Sequence, residues 1–536
     1  MSETFDAVTL EVLWTRLIST VDEAAKAIVR TSFSTLSNEA NDFACVLTDE
    51  RGWLVAQNTG SIPSFIATLP ATVKHFIEKM GVAEMKPGDM LCTNNPWMGT
   101  GHLNDVCVVK PIFRGGKVVA FAASTSHVPD IGGKIRSVEP RELFEEGFHI
   151  PLMKIINEGE ADETFFALLR AQVRTPEQTV GDIYAQITAL NLIEARLTTL
   201  MDEYDLDEIT PLSDELNARC EEAMRKAIAA VPDGTYTYEM NTDGLAPDAP
   251  FTFRVAVTVK GDEVTADFAG SSPVQPRAIN TCYCYTYAMV AYAIKCALLP
   301  DLPNNEGMLR PIHVTAPENC ILNPLFPASV GGRSNTGHYV PVVVFGALAQ
   351  IIPDKIMAAT GSPLWNCTQS GVRENGKTYA NNLFFNGGMG ATATVDGAST
   401  LSWPSNISAT PVEIMERISP FFFHYKRLRP GSGGDGKHRG GLGQDILMVS
   451  ESKTPISVIF LAERTRIAAP GFKGGGDGGR GAVVIRGEEV DTRHLYVLDE
   501  GDTLMMRTPG GAGYGAPDER DPALREGDRR MGYVGD

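Results

Sequence analysis

The sequence predicts a mixed α+β chain with several lobes: an N-terminal helix with β-hairpins, long central helices, and a β-rich C-terminal half. Three observations carry this prediction. Apolar residues at helical spacing open the chain, alternating apolar and polar residues recur further on, and glycine is very frequent from Pro430 onward. The 536 residues, 43% hydrophobic and 21% charged, suffice for several packed lobes. We expect domains at 1–232, 233–425 and 426–536.

The first lobe should contain a helix followed by two β-hairpins. The helix is expected within residues 8–30, where apolar side chains three and four positions apart form one stripe. The stripe consists of Leu13, Leu17, Val21, Ala24 and Ile28. Two short strands are expected around the turn at 49–52, and two more around Gly115-Gly116.

Two long helices should complete this lobe. Thr175 and Pro176 form an N-cap residue and a proline at the first helical position, and Gln178 is the capping-box partner. The helix that they begin should run to about Tyr204. A second helix is expected over 213–230.

The period of the apolar residues then changes from helix to strand. Residues 251–259 alternate between apolar and polar, Gly261-Asp262 provides a turn, and 264–268 alternate back. This predicts a third hairpin, which begins a more β-rich region. The glycine-rich stretch after Pro430, with short β-type runs between the glycines, predicts an irregular all-β C-terminal region.

Charge and composition exclude several classes of partner. A net charge of −19 repels nucleic acid and anionic membranes. The N-terminus lacks the basic and apolar regions of a signal peptide, and no apolar run reaches the roughly 18 residues of a spanning helix. Nine cysteines, most of them in apolar runs, indicate buried thiols in a reducing cytoplasm. Cys282 and Cys284, one residue apart with no second pair, argue against a zinc site there.

The second hairpin should bring chemically active side chains together. If Gly115-Gly116 is a two-residue turn, the numbers of opposed residues sum to about 231. Asp105 then faces Ser126, and Asn104 faces His127. The strand ends therefore meet at one mouth, opposite the turn.

A metal site at this mouth is the functional interpretation. His102, Asp105 and His127 converge there, and Asp42 lies at the open end of the first hairpin. Imidazole nitrogens and carboxylate oxygens suit Zn²⁺, Mn²⁺ or Fe²⁺. The alternative is structural: His102 and Asp105 cap the loop at 99–101, and His127 is a hydrogen-bonded surface histidine.

Two further segments are candidate sites. GSGGDGKH, residues 431–438, matches a phosphate-binding loop except that His438 replaces the Ser or Thr that would hold Mg²⁺, and neither a buried strand nor a helix flanks it. We interpret it as a turn-rich β connection, so any ATP must be bound by a partner. On the first helix, Asp22 and Lys26 are expected to pair at the surface. The alternative is that the neighbouring Glu23 points into a cleft as a proton-transfer group.

Ten short motifs are distributed over nearly the whole chain. They are RTSFS (30–34), NDFACVLTD (41–49), NPWMGTGHLNDV (95–106), SHVPDIGG (126–133), FEEGFHIPLMKI (144–155), RTPEQTVGDIYAQITA (174–189), DFAGSSPV (267–274), PASVGGRSNTG (327–337), GGDGKHRGGLG (433–443) and TPGGAGYG (508–515). In this order they resemble the B-type subunits of the hydantoinase B/oxoprolinase family.

This resemblance implies a division of labour between two polypeptides. An actin-like A-type subunit holds ATP and Mg²⁺ and phosphorylates the carbonyl of a cyclic amide, and the B-type subunit processes the activated intermediate at a divalent metal. The ring would be a hydantoin, an N-methylhydantoin, 5-oxoproline or a lactam, and the complex a hetero-tetramer or larger. Such a ring amide is a poor electrophile at neutral pH. Phosphorylation creates a leaving group, and a metal lowers the pKa of a water that attacks it.

The resemblance also assigns residues. The metal-site motifs of the family fall on Asp42, His102, Asp105 and His127, and an acidic position of its first helix falls on Glu23, the candidate catalytic residue. At residue 104, relatives often have proline where this chain has asparagine, a change that relaxes the loop without removing a ligand.

Two other functions stay open. Related subunits belong to ATP-dependent carboxylases of acetone- or acetophenone-like ketones, but the acetone-type subunits tend to be longer than this chain, which favours hydrolysis. The other function is a non-catalytic scaffold for the A-type subunit, in which His102 and His127 are structural.

Overall fold

The computed structural model describes residues 5–362 and 364–535. Helices and four β-sheets are mixed along the chain, which confirms the predicted α+β class. Among these described residues, no helix has both the length and the apolar composition needed to cross a bilayer.

The first lobe combines helices with one antiparallel sheet. Its helices are α1 (Ala7–Thr31), α2 (Thr35–Asn38), α3 (Phe65–Met80), α4 (Glu163–Gln172), α5 (Pro176–Glu203) and α6 (Thr210–Ala229). Its strands are β1 (Phe43–Asp49), β2 (Leu54–Gln57), β3 (Met90–Thr93), β4 (Asp105–Arg114), β5 (Lys117–His127), β6 (Met153–Asn157) and β7 (Glu160–Ala161). The seven strands have the order β2-β1-β5-β4-β3-β6-β7, and all neighbours are antiparallel.

Helices cover both faces of this sheet. The apolar stripe predicted for α1 is fully buried, and it packs with α5 against one face. Phe65, Leu69, Val73 and Phe76 of α3 pack against the other face. Alternate residues of β1 therefore enter two different cores, and the whole strand is buried. The sheet that carries the predicted ligands is thus held rigidly from both sides.

One predicted helix cap is wrong. The α5 helix begins at Pro176 as expected, but the side chain of Thr175 makes no capping hydrogen bond. Its backbone lies at φ −125° and ψ 62°, outside the extended conformation that directs an N-cap side chain at the first turn.

The second region contains both strands and buried helices. Its elements are β8 (Gly234–Ala246), β9 (Ala249–Lys260), β10 (Glu263–Asp267), α7 (Tyr283–Leu298), α8 (Glu306–Leu309), β11 (Ile312–Thr315), α9 (Arg333–Gly337) and α10 (Tyr339–Leu348). The sheet order is β11-β10-β9-β8, which confirms the third hairpin. The sequence did not predict α7 and α10, because helices surrounded by protein have no polar face to create a helical period.

The last region is built from two antiparallel sheets. Its elements are β12 (Trp365–Val372), β13 (Thr378–Phe385), α11 (Val412–Ile418), β14 (Phe421–Leu428), β15 (Gln444–Ser450), β16 (Ile456–Leu461), β17 (Ala482–Ile485), β18 (Glu488–Glu489), β19 (Tyr496–Leu498), β20 (Thr503–Arg507) and α12 (Pro522–Arg530). The sheet orders are β13-β12-β16-β19 and β14-β15-β20-β17-β18. The all-β expectation omitted α12. The predicted domain limits stay predictions. Strand β12, which precedes the predicted boundary between residues 425 and 426, pairs with β16, which follows it.

Glycine-rich segments pack backbone against backbone in this region. The backbone of 431–443 lies directly against that of 508–515, with Gly434 N donating to Gly511 O and Gly511 N donating to Gly441 O, each over 2.9 Å. The segment that resembles a phosphate-binding loop therefore uses its backbone groups in this contact, and no helix follows it.

Candidate metal centre

The β4–β5 hairpin carries two of the predicted ligands to the end opposite its turn. Its turn residues, Gly115-Gly116, have φ values of 57° and 80°, as a two-residue hairpin turn requires. The pairing shifts at a β-bulge beside Ile112-Phe113, so that Asp105 lies directly opposite His127 and not opposite Ser126. The predicted register was wrong by one residue because the bulge leaves one residue of β5 unpaired.

His102, Asp105 and His127 form a buried cluster at this end of the hairpin. His102 Nε2 lies 2.7 Å from Asp105 Oδ1, and His127 Nδ1 lies 2.9 Å from the same oxygen. None of the three residues is more than 3% exposed. Their ligand atoms lie within 4.8 Å of one another, and the described part of the chain contains one such group of three or more metal-binding side chains.

Asp42 stands beside this cluster. Its Oδ2 lies 3.8 Å from His127 Nδ1, and its backbone carbonyl accepts a hydrogen bond of 3.0 Å from His127 N. Burial raises the pKa of the Asp42 carboxyl, and the neighbouring His127 acts in the opposite direction. The structure thus brings three of the predicted ligands into one cluster and places Asp42 beside it, next to His127.

The second oxygen of Asp105 is held by groups outside the cluster. Thr100 Oγ1 donates to Asp105 Oδ2 over 2.7 Å, and the Arg333 guanidinium forms a salt bridge with the same oxygen. Burial opposes the charge of Asp105, but its polar and charged neighbours outweigh burial and hold its pKa well below the ordinary value, with Arg333 as the permanent cation among them. Asp105 is therefore an anion with Oδ1 directed at the two imidazoles.

Arg333 reaches this position through a gap left by a glycine. It is buried, and its guanidinium stacks 4.4 Å from the ring centre of Tyr285. Gly101 has φ 102°, and a Cβ there would lie 2.7 Å from Arg333 Cδ. The sequence interpretation did not single out Arg333. Its only signal was its place in the PASVGGRSNTG motif, because a contact between residues 228 positions apart leaves no local pattern.

Arg136 is a second cation near the cluster, half-buried, that the sequence interpretation missed. Its guanidinium donates to Gly331 O over 3.2 Å, to Asn366 Oδ1 over 2.7 Å and to Ser334 Oγ over 3.1 Å. Burial, assisted by repulsion from Arg333, lowers its pKa to about 10. Residues of all three regions therefore meet around the cluster.

The cluster fits a divalent metal. Although it is close to Asp105 Oδ1, His102 Nε2 is buried without a properly directed hydrogen bond. Burial, with repulsion from Arg333, lowers the pKa of His102 to about 3, so its ring is neutral at physiological pH, as a ligand must be. Ligand atoms around a tetrahedral Zn²⁺ lie roughly 3.3 Å apart. The observed separations of 2.7, 2.9 and 3.8 Å span this value.

Glu23 lies outside this arrangement. Its carboxylate pairs with Arg196 of α5 at 2.7 Å, and its side chain is 45% exposed. Its proposed proton-transfer role gains no support from this position and stays a prediction. The prediction that Asp22 pairs with Lys26 is wrong. Within the described residues these two side chains form no ion pair, and Asp22 instead accepts a hydrogen bond of 2.7 Å from Thr59 N.

Two cavities flank the site. One of about 690 Å³ is lined by Trp97, Lys74 and Cys284, and it contains none of the cluster residues. A much smaller one, of about 20 Å³, is lined in part by Arg136, Glu146 and Gly331, and it also contains none of the cluster residues.

Known proteins resemble this chain over almost its full length. A family model described as hydantoinase B/oxoprolinase matches residues 6–517. The B-type subunit of a putative D-/L-hydantoinase from Pseudomonas sp. (strain NS671) is 30% identical, over 99% of this chain and 93% of its own.

Two solved structures share the fold. An ATP-dependent caprolactamase from Pseudomonas jessenii superposes with a TM-score of 0.88 at 26% identity, covering 99% of this chain and 95% of that one. A nucleotide-free acetone carboxylase also gives a TM-score of 0.88, at 19% identity, over 99% of this chain and 78% of that one. Because both the family model and the hydantoinase relative extend over nearly every element described above, the chain belongs to the hydantoinase B/oxoprolinase family.

Proposed function

We propose that this chain is the metal-binding B-type subunit of an ATP-dependent hydrolase that opens a cyclic amide. One observation carries the proposal: two imidazoles and the Asp105 carboxylate converge in a buried cluster beside Asp42, and His102 Nε2 makes no properly directed hydrogen bond there. Membership of the family and the likeness to the caprolactamase favour a hydantoin, 5-oxoproline or lactam ring as the substrate class.

His102, Asp105, His127 and Asp42 would hold the metal, which is Zn²⁺, Mn²⁺ or Fe²⁺ by the chemistry of these ligands. When bound, the metal polarises an oxygen of the substrate and activates water for attack. Thr100 fixes the orientation of the Asp105 carboxylate. The near-complete burial of the cluster excludes bulk water and strengthens every charge interaction in it.

The charges around the cluster suit an anionic intermediate. Arg333 is buried and Arg136 half-buried beside Asp42 and Asp105, so the two cations balance the carboxylates before any metal binds. A divalent metal would then make the site positive, as a phosphorylated carbonyl requires.

ATP chemistry belongs to a separate polypeptide in this proposal. The segment 431–438 makes backbone contacts with 508–515 and leads into no helix, so it lacks the context of a nucleotide site. An A-type subunit would bind ATP and Mg²⁺ and phosphorylate the ring carbonyl. The hydantoinase relative, itself named as one subunit of an enzyme, supports such a partner. We propose a cytoplasmic hetero-tetramer or larger complex.

The test is a coupled assay of the complex of this chain with its A-type partner. ADP release and product formation are measured with ATP, a panel of cyclic amides and ketones, and with or without bicarbonate. We expect ring opening only when both subunits and ATP are present. Asp105→Ala should abolish the product while much of the ATP turnover continues, because this change damages the metal site and not the phosphorylating site. Asp202→Ala, which removes an exposed carboxylate paired with Arg114, is the matched control.

The outcomes separate the functions. Bicarbonate-dependent consumption of a ketone would replace hydrolysis with carboxylation. Coupled turnover that survives Asp105→Ala would leave the chain a scaffold, and ring opening by this chain alone without ATP would overturn the division of labour.

A further inference from the structure

Glu146 is a buried carboxylate that the proposed reaction does not use. It follows a short 3-10 turn, Leu143–Glu145, and is 7% exposed. Its Oε1 accepts hydrogen bonds from Ser329 Oγ, from Val330 N over 2.6 Å and from Gly331 N over 2.8 Å. Three donors from consecutive residues on one oxygen fix the backbone of 329–331.

The carbonyl of the last of these residues faces the metal centre. Gly331 O lies 3.3 Å from His102 Nδ1 and accepts a hydrogen bond of 3.2 Å from Arg136 Nε. A carbonyl oxygen can only accept, so this contact requires a proton on His102 Nδ1. Nε2, the atom that faces Asp105, is then the ring nitrogen left to bind a metal.

We propose that Glu146 is a positioning residue, which holds Gly331 so that its carbonyl selects the Nδ1–H tautomer of His102 and aims the Nε2 lone pair at the metal. The chain of contacts runs from the Glu146 carboxyl through the Gly331 peptide to His102 Nδ1. This inference rests on the proposed metal centre and adds to it a residue that touches neither metal nor substrate. Partners of ligating histidines commonly change metal affinity by roughly 10- to 100-fold.

Two features favour positioning by geometry. A Cβ on Gly331 would lie 3.3 Å from Glu146 Cδ, so the carboxyl and the peptide fit closely. Burial, despite the three donors, raises the pKa of Glu146 to about 7, so hydrogen bonding through Oε1 does not depend on a permanent charge. Oε2 has no hydrogen-bond partner, and Glu146 lines the cavity of about 20 Å³, which has room for about one water. A glutamine amide can therefore replace the carboxyl there.

The test compares Zn²⁺ affinity in full-length variants by competition with a chelator. We expect Glu146→Ala to bind Zn²⁺ roughly 10- to 100-fold more weakly than the wild type. Glu146→Gln, which keeps the acceptor oxygen, should remain within about threefold of the wild type. Glu145→Ala is the matched control, because the neighbouring Glu145 is only half-buried and pairs with Lys134. Thermal unfolding shows whether each variant folds, and Ser329→Ala, which removes one donor, replaces Glu146→Ala if that variant does not.

A second measurement reads the tautomer directly. In the metal-free chain labelled with ¹⁵N-histidine, the His102 signals are those missing from His102→Ala. We expect a protonated Nδ1 in the wild type and in Glu146→Gln, and a mixture of tautomers in Glu146→Ala.

The results distinguish this inference from the proposed function. Unchanged Zn²⁺ affinity and tautomer in a folded Glu146→Ala chain would overturn the positioning role, as would equal losses in the Gln and Ala variants. If His102→Ala also bound Zn²⁺ normally, the metal centre itself would be wrong.

Discussion

Single residues define the site through a balance of buried charge. Asp105 is the central group, since both imidazoles approach one of its oxygens and Arg333 holds the other. Burial without these partners would favour the neutral carboxylic acid. Arg333 therefore keeps Asp105 anionic before a metal arrives, although it is not itself a ligand.

Removing this cation should be costly to the fold. We expect Arg333→Gln to lower the free energy of unfolding by roughly 3–5 kcal/mol, because it leaves the buried Asp105 without its counter-ion. Urea-induced unfolding measures this. Arg196→Gln is the control: its partner Glu23 is half exposed, so the unfolding midpoint should not change measurably. If the two substitutions changed the free energy of unfolding equally, the buried Arg333–Asp105 pair would stabilise the fold no more than the exposed pair does.

At this scale, sequence reasoning was partly successful. Hairpin spacing predicted that His102, Asp105 and His127 would lie close together, with Asp42 nearby, because strands bring distant ends together by a simple rule. It gave no sign of Arg333, Arg136 or Glu146, whose contacts depend on how separate regions pack.

Among the individual elements, those with a local sequence pattern were predicted, and those that depend on tertiary packing were missed. The α1 stripe follows from residue spacing because one face of that helix lies toward a core, and the three hairpins follow from the recognisable turn residues between their strands. The bulge in β5 was missed because no glycine or proline marks it, and it shifted the register at Asp105 by one residue. The buried helices α7 and α10 were missed because they lack a polar face.

The glycine-rich segments require glycine because a larger side chain would collide with the neighbouring backbone. A Cβ on Gly510 would lie 1.7 Å from Ser432 O, a distance that only a shift of the backbone can relieve. We expect Gly510→Ala to lower the free energy of unfolding by about 3 kcal/mol or more. Gly527→Ala should instead raise it by about 0.5–1 kcal/mol, because that glycine lies in α12 with no atom within 4 Å of the added carbon. Urea-induced unfolding of both variants tests this. If Gly510→Ala left the free energy of unfolding unchanged, the glycine-rich segments would not be closely packed in solution.

For the molecule as a whole, the site lies where the three regions meet. The cluster comes from the first lobe, Arg333 from the start of α9, and Asn366, which contacts Arg136, from β12. The proposed metal ligands therefore depend on one sheet, whereas their charge balance depends on the assembled chain. This arrangement explains why family motifs that hold the site are spread from residue 41 to beyond residue 333.

The metal content of the purified full-length chain tests the central claim most directly. After expression in metal-supplemented medium, we expect elemental analysis to find about one divalent transition metal per chain. His102→Ala and His127→Ala should lose it while they remain folded, because both residues lie at strand ends and not within a hydrophobic core. Wild-type chain that contains no metal, or folded variants with normal metal content, would contradict the account.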